Sequence, residues 1–183
     1  MIRQLASNRA IFSIARYSTT FPNVVPTEPI TMYDTQRNKV TTSDLFAKGK
    51  KVVLFGIPGA FTPVCTNKHV PSFLEKAKDL KGKHGITDVA CVSVNDAFVM
   101  KAWQDQVAKE SEDVLFLADP SGQFVKSIDL NIDLTNAGLG PRSKRFSMIV
   151  DDGKVVALNV EDSPGDFKNT GADKIIEQLT ELK

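Results

Sequence analysis

The sequence predicts an α/β domain with a mixed central β-sheet flanked by helices, and three observations carry that reading. Short apolar runs of strand length alternate with segments whose apolar residues recur at helical spacing. Late in the chain, Asp151-Asp152-Gly153 lies between two such runs and reads as a hairpin turn, which adds antiparallel pairing to the alternating pattern. After Pro29 no internal repeat, low-complexity block or second linker divides the chain.

Taken in order, residues 52–57 (VVLFGI) form an apolar run between Lys50-Lys51 and Pro58-Gly59, as a strand covered on both faces does. Residues 65–80 have helical spacing, with Val70, Phe73, Leu74, Ala77 and Leu80 on one broad face. A second buried strand is expected over 88–94, and Asn95-Asp96 opens a helix over 98–107. Leu115–Ala118 is a third strand, closed by a turn at Asp119-Pro120-Ser121-Gly122. The hairpin pairs 146–150 with 155–158, and a last helix over 171–182 turns Ile175, Ile176, Leu179 and Leu182 inward. Fold class alone assigns no activity.

Composition narrows the function. With 183 residues, 42% hydrophobic and 25% charged, the chain suits one globular domain. A net charge of +1 supplies no field for nucleic acid or an anionic membrane surface, so neither is expected as a partner. No apolar run approaches the roughly 20 residues that span a bilayer. Two cysteines and two histidines make neither a disulfide framework nor a structural zinc site. A reducing compartment follows, with thiol chemistry catalytic rather than structural.

The first acidic residue is Glu28, whereas Arg3, Arg9 and Arg16 precede it among Ser, Thr and Asn residues. Ile2, Leu5, Ile11, Phe12 and Ile14 give residues 2–16 the makings of a basic amphipathic helix. Residues 1–20 are therefore expected to be a mitochondrial transit peptide, cleaved near Tyr17–Thr20, with the folded domain over 21–183 and a matrix location. A secretory signal would have only Ala10–Ala15 as its apolar centre and would precede a cysteine-poor domain, and an uncleaved tail in a cytosolic protein is the plain alternative.

The segment Pro58-Gly59-Ala60-Phe61-Thr62-Pro63-Val64-Cys65 joins the first buried strand to the following helix. Pro and Gly end the strand, and Pro63 favours entry into a first helical turn, so Cys65 belongs near a helix N-terminus. Free amides and the helix dipole there stabilise a thiolate, the nucleophilic form of the residue. Thr62 can bring its hydroxyl beside the sulfur. Against this stands the ordinary reading of a lone cysteine as a small buried hydrophobe.

Residues 53–73, VLFGIPGAFTPVCTNKHVPSF, resemble the active-site segment of the peroxiredoxins, and more narrowly the type II or peroxiredoxin-5 subgroup with its PGAFTPxC…HxP signature. VSVNDAFVMKAW at 92–103, ADP at 118–120 and RFSM at 145–148 match in order, and the resemblance runs over about residues 22–183. It implies a thioredoxin-like fold and a thiol-dependent peroxidase that reduces hydrogen peroxide and organic hydroperoxides. Carried over by motif, Cys65 is the peroxidatic cysteine, with Pro58, Thr62 and Arg145 around it. Arg145 directly precedes a strand as the family's arginine does, and Arg142 is the alternative. Attack on the peroxide would give a Cys65 sulfenic acid, with no metal or organic cofactor required, only an external thiol. Glutathione with glutaredoxin, or thioredoxin, is the expected reductant.

Cys91 lies inside a predicted buried strand, where a packed thiol is the bland reading. The resemblance leaves a resolving role open, since plant-like and mitochondrial type II members carry a second cysteine at this position. The resolving cysteine of the animal type is missing, because residues 158–170 contain none. His69 shares a helix face with Cys65 and reads as a packed or hydrogen-bonded histidine, with a general base as the rival. His84 reads as a surface loop residue, and Gly138-Leu139-Gly140-Pro141 as a turn before Arg145. Phe61, Pro63, Phe98 and Phe124 could rim the cysteine or form a homodimer contact, with core packing as the default. Three other functions compete. A dithiol–disulfide oxidoreductase lacks its Cys-x-x-Cys pair here, a peroxide-sensing switch or chaperone-like binding module would use the same sulfenic acid, and an inert scaffold would not need all four motif residues.

Overall fold

The computed structural model of the protein describes residues 25–26, 28–109 and 111–182, so the expected targeting segment lies outside the described residues. Among these are nine strands: β1 (Thr31–Asp34), β2 (Lys39–Thr41), β3 (Lys51–Ile57), β4 (Asp88–Ser93), β5 (Leu115–Ala118), β6 (Asn131–Leu134), β7 (Gly140–Ser143), β8 (Phe146–Asp151) and β9 (Lys154–Val160). Five α-helices accompany them: α1 (Thr42–Leu45), α2 (Val70–His84), α3 (Ala97–Val107), α4 (Gln123–Ser127) and α5 (Ala172–Glu181). Seven strands form one sheet in the order β2-β1-β5-β4-β3-β8-β9, and β6 and β7 pair separately. The sheet is mixed, as expected: β3 runs parallel to β4 and β4 to β5, whereas β8 lies antiparallel to both β3 and β9.

β3 is central and covered on both faces because its side chains alternate between two cores. Val53, Phe55 and Ile57 join the cluster beneath α2, α3 and α5, with Phe73, Trp103 and Ile175. Val52 and Leu54 join the opposite cluster, with Met32, Phe124 and Phe146. This period of two is what a strand imposes, and apolar residues on both phases are what a doubly covered strand requires. Gly56 sits where a side chain cannot, since a Cβ there would lie 2.0 Å from the Phe146 ring.

Several elements arrive with few sequence signals. β1, β2 and α1 add an edge that the apolar pattern does not announce, and β6–β7 build a small hairpin where a simple turn is expected. Three positional expectations are corrected. Leu182 does not face inward but is exposed just past the end of α5, whose buried face is formed by Ala172, Ile175 and Leu179. His84 is the last residue of α2 rather than a loop residue. Phe124 is fully buried on the far face of the sheet, among Met32 and Phe146, and so cannot rim Cys65.

Candidate active site

The helix that follows β3 opens at Pro63, so Cys65 falls in its first turn. The Thr66 amide donates to Thr62 O at 2.9 Å, which makes Thr62 the residue where the helix begins. The amides before Thr66 have no partner within the helix, and Pro63 carries none, so those of Val64 and Cys65 are the donors available near the sulfur. From Cys65 to His69 the helix loosens into one π-type turn, closed by the Val70 amide donating to Cys65 O. Such turns recur at functional sites because they re-aim side chains within an otherwise regular helix.

The loop ahead of Cys65 is braced from two sides. The Thr62 hydroxyl donates its proton to Gly59 O at 2.9 Å, which leaves the oxygen's lone pairs to accept. Asn95 Oδ1 accepts from the Ala60 amide at 3.0 Å and from the Ser93 hydroxyl at 2.7 Å, tying the loop to the end of β4. Phe61 carries a φ of +62°, a conformation that disfavours L-residues, and is 51% exposed. Behind the π-type turn, Trp103 Nε1 donates to Thr66 Oγ1 at 3.1 Å. Asn95 and Trp103 stand in the matching stretch 92–103, but neither residue type by itself announces a bracing role.

Cys65 is fully buried, but not in a purely apolar shell. Arg145 Nη1 donates to its Sγ at 3.4 Å and also approaches His69 Nδ1 at 3.2 Å, while Nη2 donates to Pro164 O at 2.7 Å. Arg145 is only 2% exposed, so its charge is buried at the sulfur rather than solvated at the surface. Arg142 is bound elsewhere, through Nε to Leu139 O and through Nη1 to Val94 O. The guanidinium at the sulfur belongs to Arg145. Pro58 ends β3 and is buried beside the loop.

His69 is not free to act as a base. Its Nε2 lies 3.0 Å from Thr170 O, an acceptor only, so this nitrogen carries the proton and Nδ1 presents its lone pair to Arg145. Burial, helped by the positive charge of Arg145 and opposed by the Thr170 bond, lowers the His69 pKa to about 3. The ring is wedged among Phe55, Phe73 and Phe167. It serves as a neutral acceptor that helps aim the arginine, in keeping with the packed, hydrogen-bonded reading.

Cys91 is buried in β4, in register with Phe55 on one side and Phe116 on the other. Burial, and then the nearby charge of Cys65, push its thiol well above the ordinary range, so it is held neutral. Both cysteines are free and belong to the same core cluster. Among the described residues no group of three or more His, Cys, Asp or Glu could hold a metal ion, and no helix is long and apolar enough to cross a membrane.

Comparison with known proteins agrees with this geometry. The family model described as Redoxin matches residues 18–176. Peroxiredoxin-2B of Arabidopsis thaliana is 48% identical over 159 residues, covering 86% of this chain and 96% of its own length. The mitochondrial peroxiredoxin-2F of the same plant is 50% identical over 137 residues, covering 75% of this chain and 67% of its own. The solved structure of reduced Prx3 from Vibrio vulnificus in complex with H2O2 matches with a TM-score of 0.79 and 39% identity over 90% of this chain and 98% of that one. Peroxiredoxin 5 from Alvinella pompejana matches with a TM-score of 0.76 and 26% identity over 90% and 99% of the two chains. With a thioredoxin-like mixed sheet and a cysteine and arginine in contact at the head of a helix, this chain belongs to the Redoxin family, and within it to the type II peroxiredoxins, thiol-dependent peroxidases.

Proposed function

We propose that Cys65 is the peroxidatic residue and that Arg145, Thr62, Pro58 and the first amides of the helix serve it. The observation that carries this reading is the 3.4 Å contact from Arg145 Nη1 to the Cys65 sulfur inside an otherwise closed core. A guanidinium is permanently charged and planar, and so favours the thiolate and offers further donors to a peroxide oxygen. The thiolate attacks one peroxide oxygen, an S–O bond forms and the O–O bond breaks. The departing oxygen leaves as alkoxide or hydroxide and takes up a proton to become alcohol or water. Sulfur is thereby oxidised to sulfenic acid and the peroxide reduced. Alignment by Thr62 and stabilisation of the departing charge by Arg145 and the amides would supply the catalysis, which calls on no metal or organic cofactor.

An external thiol then attacks the sulfenic acid, releasing water and leaving a mixed disulfide, which a second thiol resolves. Glutathione with glutaredoxin, or thioredoxin, fits that step. Because the sulfur is buried, a protein reductant reaches it only when the turn around Cys65 opens. Cys91 would resolve through the same opening, since its own strand is held by partners on both sides. The arginine-bearing segment 1–20 supports mitochondrial targeting, and exposed Phe61 and Phe98 support a homodimer contact near the site.

Peroxide consumption, measured separately with each reductant on wild type, Cys65→Ser and Cys91→Ser, tests the assignment. Cys65→Ser is expected to abolish turnover and Cys91→Ser to retain much of it. Equal activity in wild type and Cys65→Ser would refute the assignment. Loss of thioredoxin-driven turnover alone in Cys91→Ser would make Cys91 a resolver. Stoichiometric oxidation without turnover under every reductant would favour the peroxide-sensing switch.

A further inference from the structure

Two of the groups that hold the site from behind are main-chain carbonyls, those of Pro164 and Thr170. Both belong to the connection between β9 and α5, which has neither strand nor helix to fix its shape. That connection is organised around one oxygen. Glu161 Oε1 accepts from the amides of Lys168 at 2.7 Å, Asn169 at 2.7 Å and Thr170 at 3.1 Å, and from the Thr170 hydroxyl at 3.0 Å. Three consecutive amides and a hydroxyl converging on one point form an anion-binding nest, and its occupant is the side chain of the first residue after β9. Glu161 is only 6% exposed, so water does not compete freely for these donors. Its own amide donates to Arg145 O at 3.0 Å. One residue is thus bonded through its main chain to Arg145, and through its side chain to the turn whose Thr170 carbonyl holds His69.

We propose that Glu161 is a positioning residue for Cys65: its carboxylate fixes the 161–170 connection so that the Pro164 and Thr170 carbonyls set the Arg145 guanidinium and the His69 imidazole against the sulfur. The proposal rests on Cys65 being the peroxidatic residue. Hydrogen bonds to an ionised acceptor are roughly twice as strong as neutral ones, which suits a carboxylate to a task that four neutral donors share. Removing it leaves the buried amide and hydroxyl of Thr170, and the part-buried amides of Lys168 and Asn169, without their acceptor, and the connection must move to re-satisfy the buried pair. Glutamine offers a carbonyl oxygen in the same place.

The test measures the single-turnover reaction of the reduced protein with hydrogen peroxide, and iodoacetamide alkylation of Cys65, on wild type, Glu161→Ala, Glu161→Gln and Thr170→Val, all in a Cys91→Ser background. Glu161→Ala is expected to react between about tenfold and a hundredfold more slowly with peroxide, the cost of a misplacement of roughly 1 Å. Glu161→Gln should recover most of that loss, and Thr170→Val, which deletes one donor, should lose less than Glu161→Ala. In an Arg145→Lys background, Glu161→Ala should add little further loss, because it acts through the arginine; a purely structural effect would add in full. A folded Glu161→Ala protein at the wild-type rate would overturn the proposal, as would full additivity with Arg145→Lys. If Glu161→Ala does not fold, a Glu161→Gln or Thr170→Val loss that adds in full to that of Arg145→Lys overturns it equally. A wild type inert to peroxide would instead overturn the peroxidase reading, and the alkylation rates would still report whether Glu161 controls the setting of Cys65.

Discussion

At the site, a neutral histidine, a buried arginine and a cysteine share one line of contacts, and the order of their roles follows from what each can donate. Arg145 has only donors, so the two groups facing its Nη1, the Cys65 sulfur and His69 Nδ1, must both act as acceptors. A protonated His69 would present a donor to a donor and a charge to a charge. This gives the residue a measurable signature in stability. His69 titrates at about 3 in the folded protein, against 6.5 as its ordinary value. Between those values the unfolded chain binds the extra proton and the folded chain does not. The stability from keeping the ring neutral is therefore fully present above pH 6.5, falls as pH drops, and is exhausted near pH 3. The slope is at most about 1.4 kcal/mol per pH unit. Urea unfolding of wild type at pH 7 and pH 5 is expected to show this loss, and a His69→Gln variant to show a shallower dependence over the same interval. Parallel slopes in the two proteins would mean that His69 is not held neutral by the fold.

Among the elements, β3 and β8 do most to place the chemistry, because one delivers the loop bearing Cys65 and the other follows Arg145 directly. They pair antiparallel, with Gly56 opposite Phe146, and the Phe146 ring occupies the space that a Gly56 side chain would need. Phe146 is the neighbour of Arg145 in sequence, so a displaced ring disturbs the guanidinium as well as the core. Gly56→Ala is expected to lower stability by about 1–3 kcal/mol, the usual cost of overpacking, and to slow the peroxide reaction. Adding Phe146→Leu should restore part of both by making room. Urea unfolding and single-turnover kinetics on the three proteins check this; a stable, fully active Gly56→Ala would show that the two strands part without consequence. The same pairing explains why the strand was legible in sequence. A doubly covered strand needs apolar residues on both phases, and VVLFGI supplies them. β1, β2 and the β6–β7 hairpin were not legible, because each is only three or four residues long and carries no apolar run.

Over the molecule as a whole, the described domain begins to bury apolar side chains at Val25 and Ile30, downstream of the arginine-bearing segment. Peroxide chemistry and targeting are therefore expected to separate. A protein lacking residues 2–20 should keep wild-type peroxide turnover, while residues 1–20 fused to a fluorescent protein should carry it into mitochondria. A fluorescent fusion that stays in the cytosol would remove the targeting reading and leave the peroxidase untouched.

The candidate site was legible where it is continuous in sequence. Pro58, Thr62 and Cys65 lie on one loop entering one helix, and local rules about strand ends, prolines and helix N-termini place the cysteine at the helix entrance, while the resemblance supplies the residues' roles. Arg145 was legible by resemblance alone, since no local rule links a residue to a sulfur 80 positions away. Composition and apolar pattern by themselves determined a mixed α/β domain and which cysteine stands at a helix entrance. Only the tertiary structure decided that Arg145 rather than Arg142 reaches the sulfur, that His69 is a neutral acceptor, that Phe124 lies on the far face, and that Glu161 gathers the turn behind the site. The reason is physical: a residue's local conformation follows from its neighbours in the chain, whereas its hydrogen-bond partner and the water it loses depend on chain segments that only folding brings together.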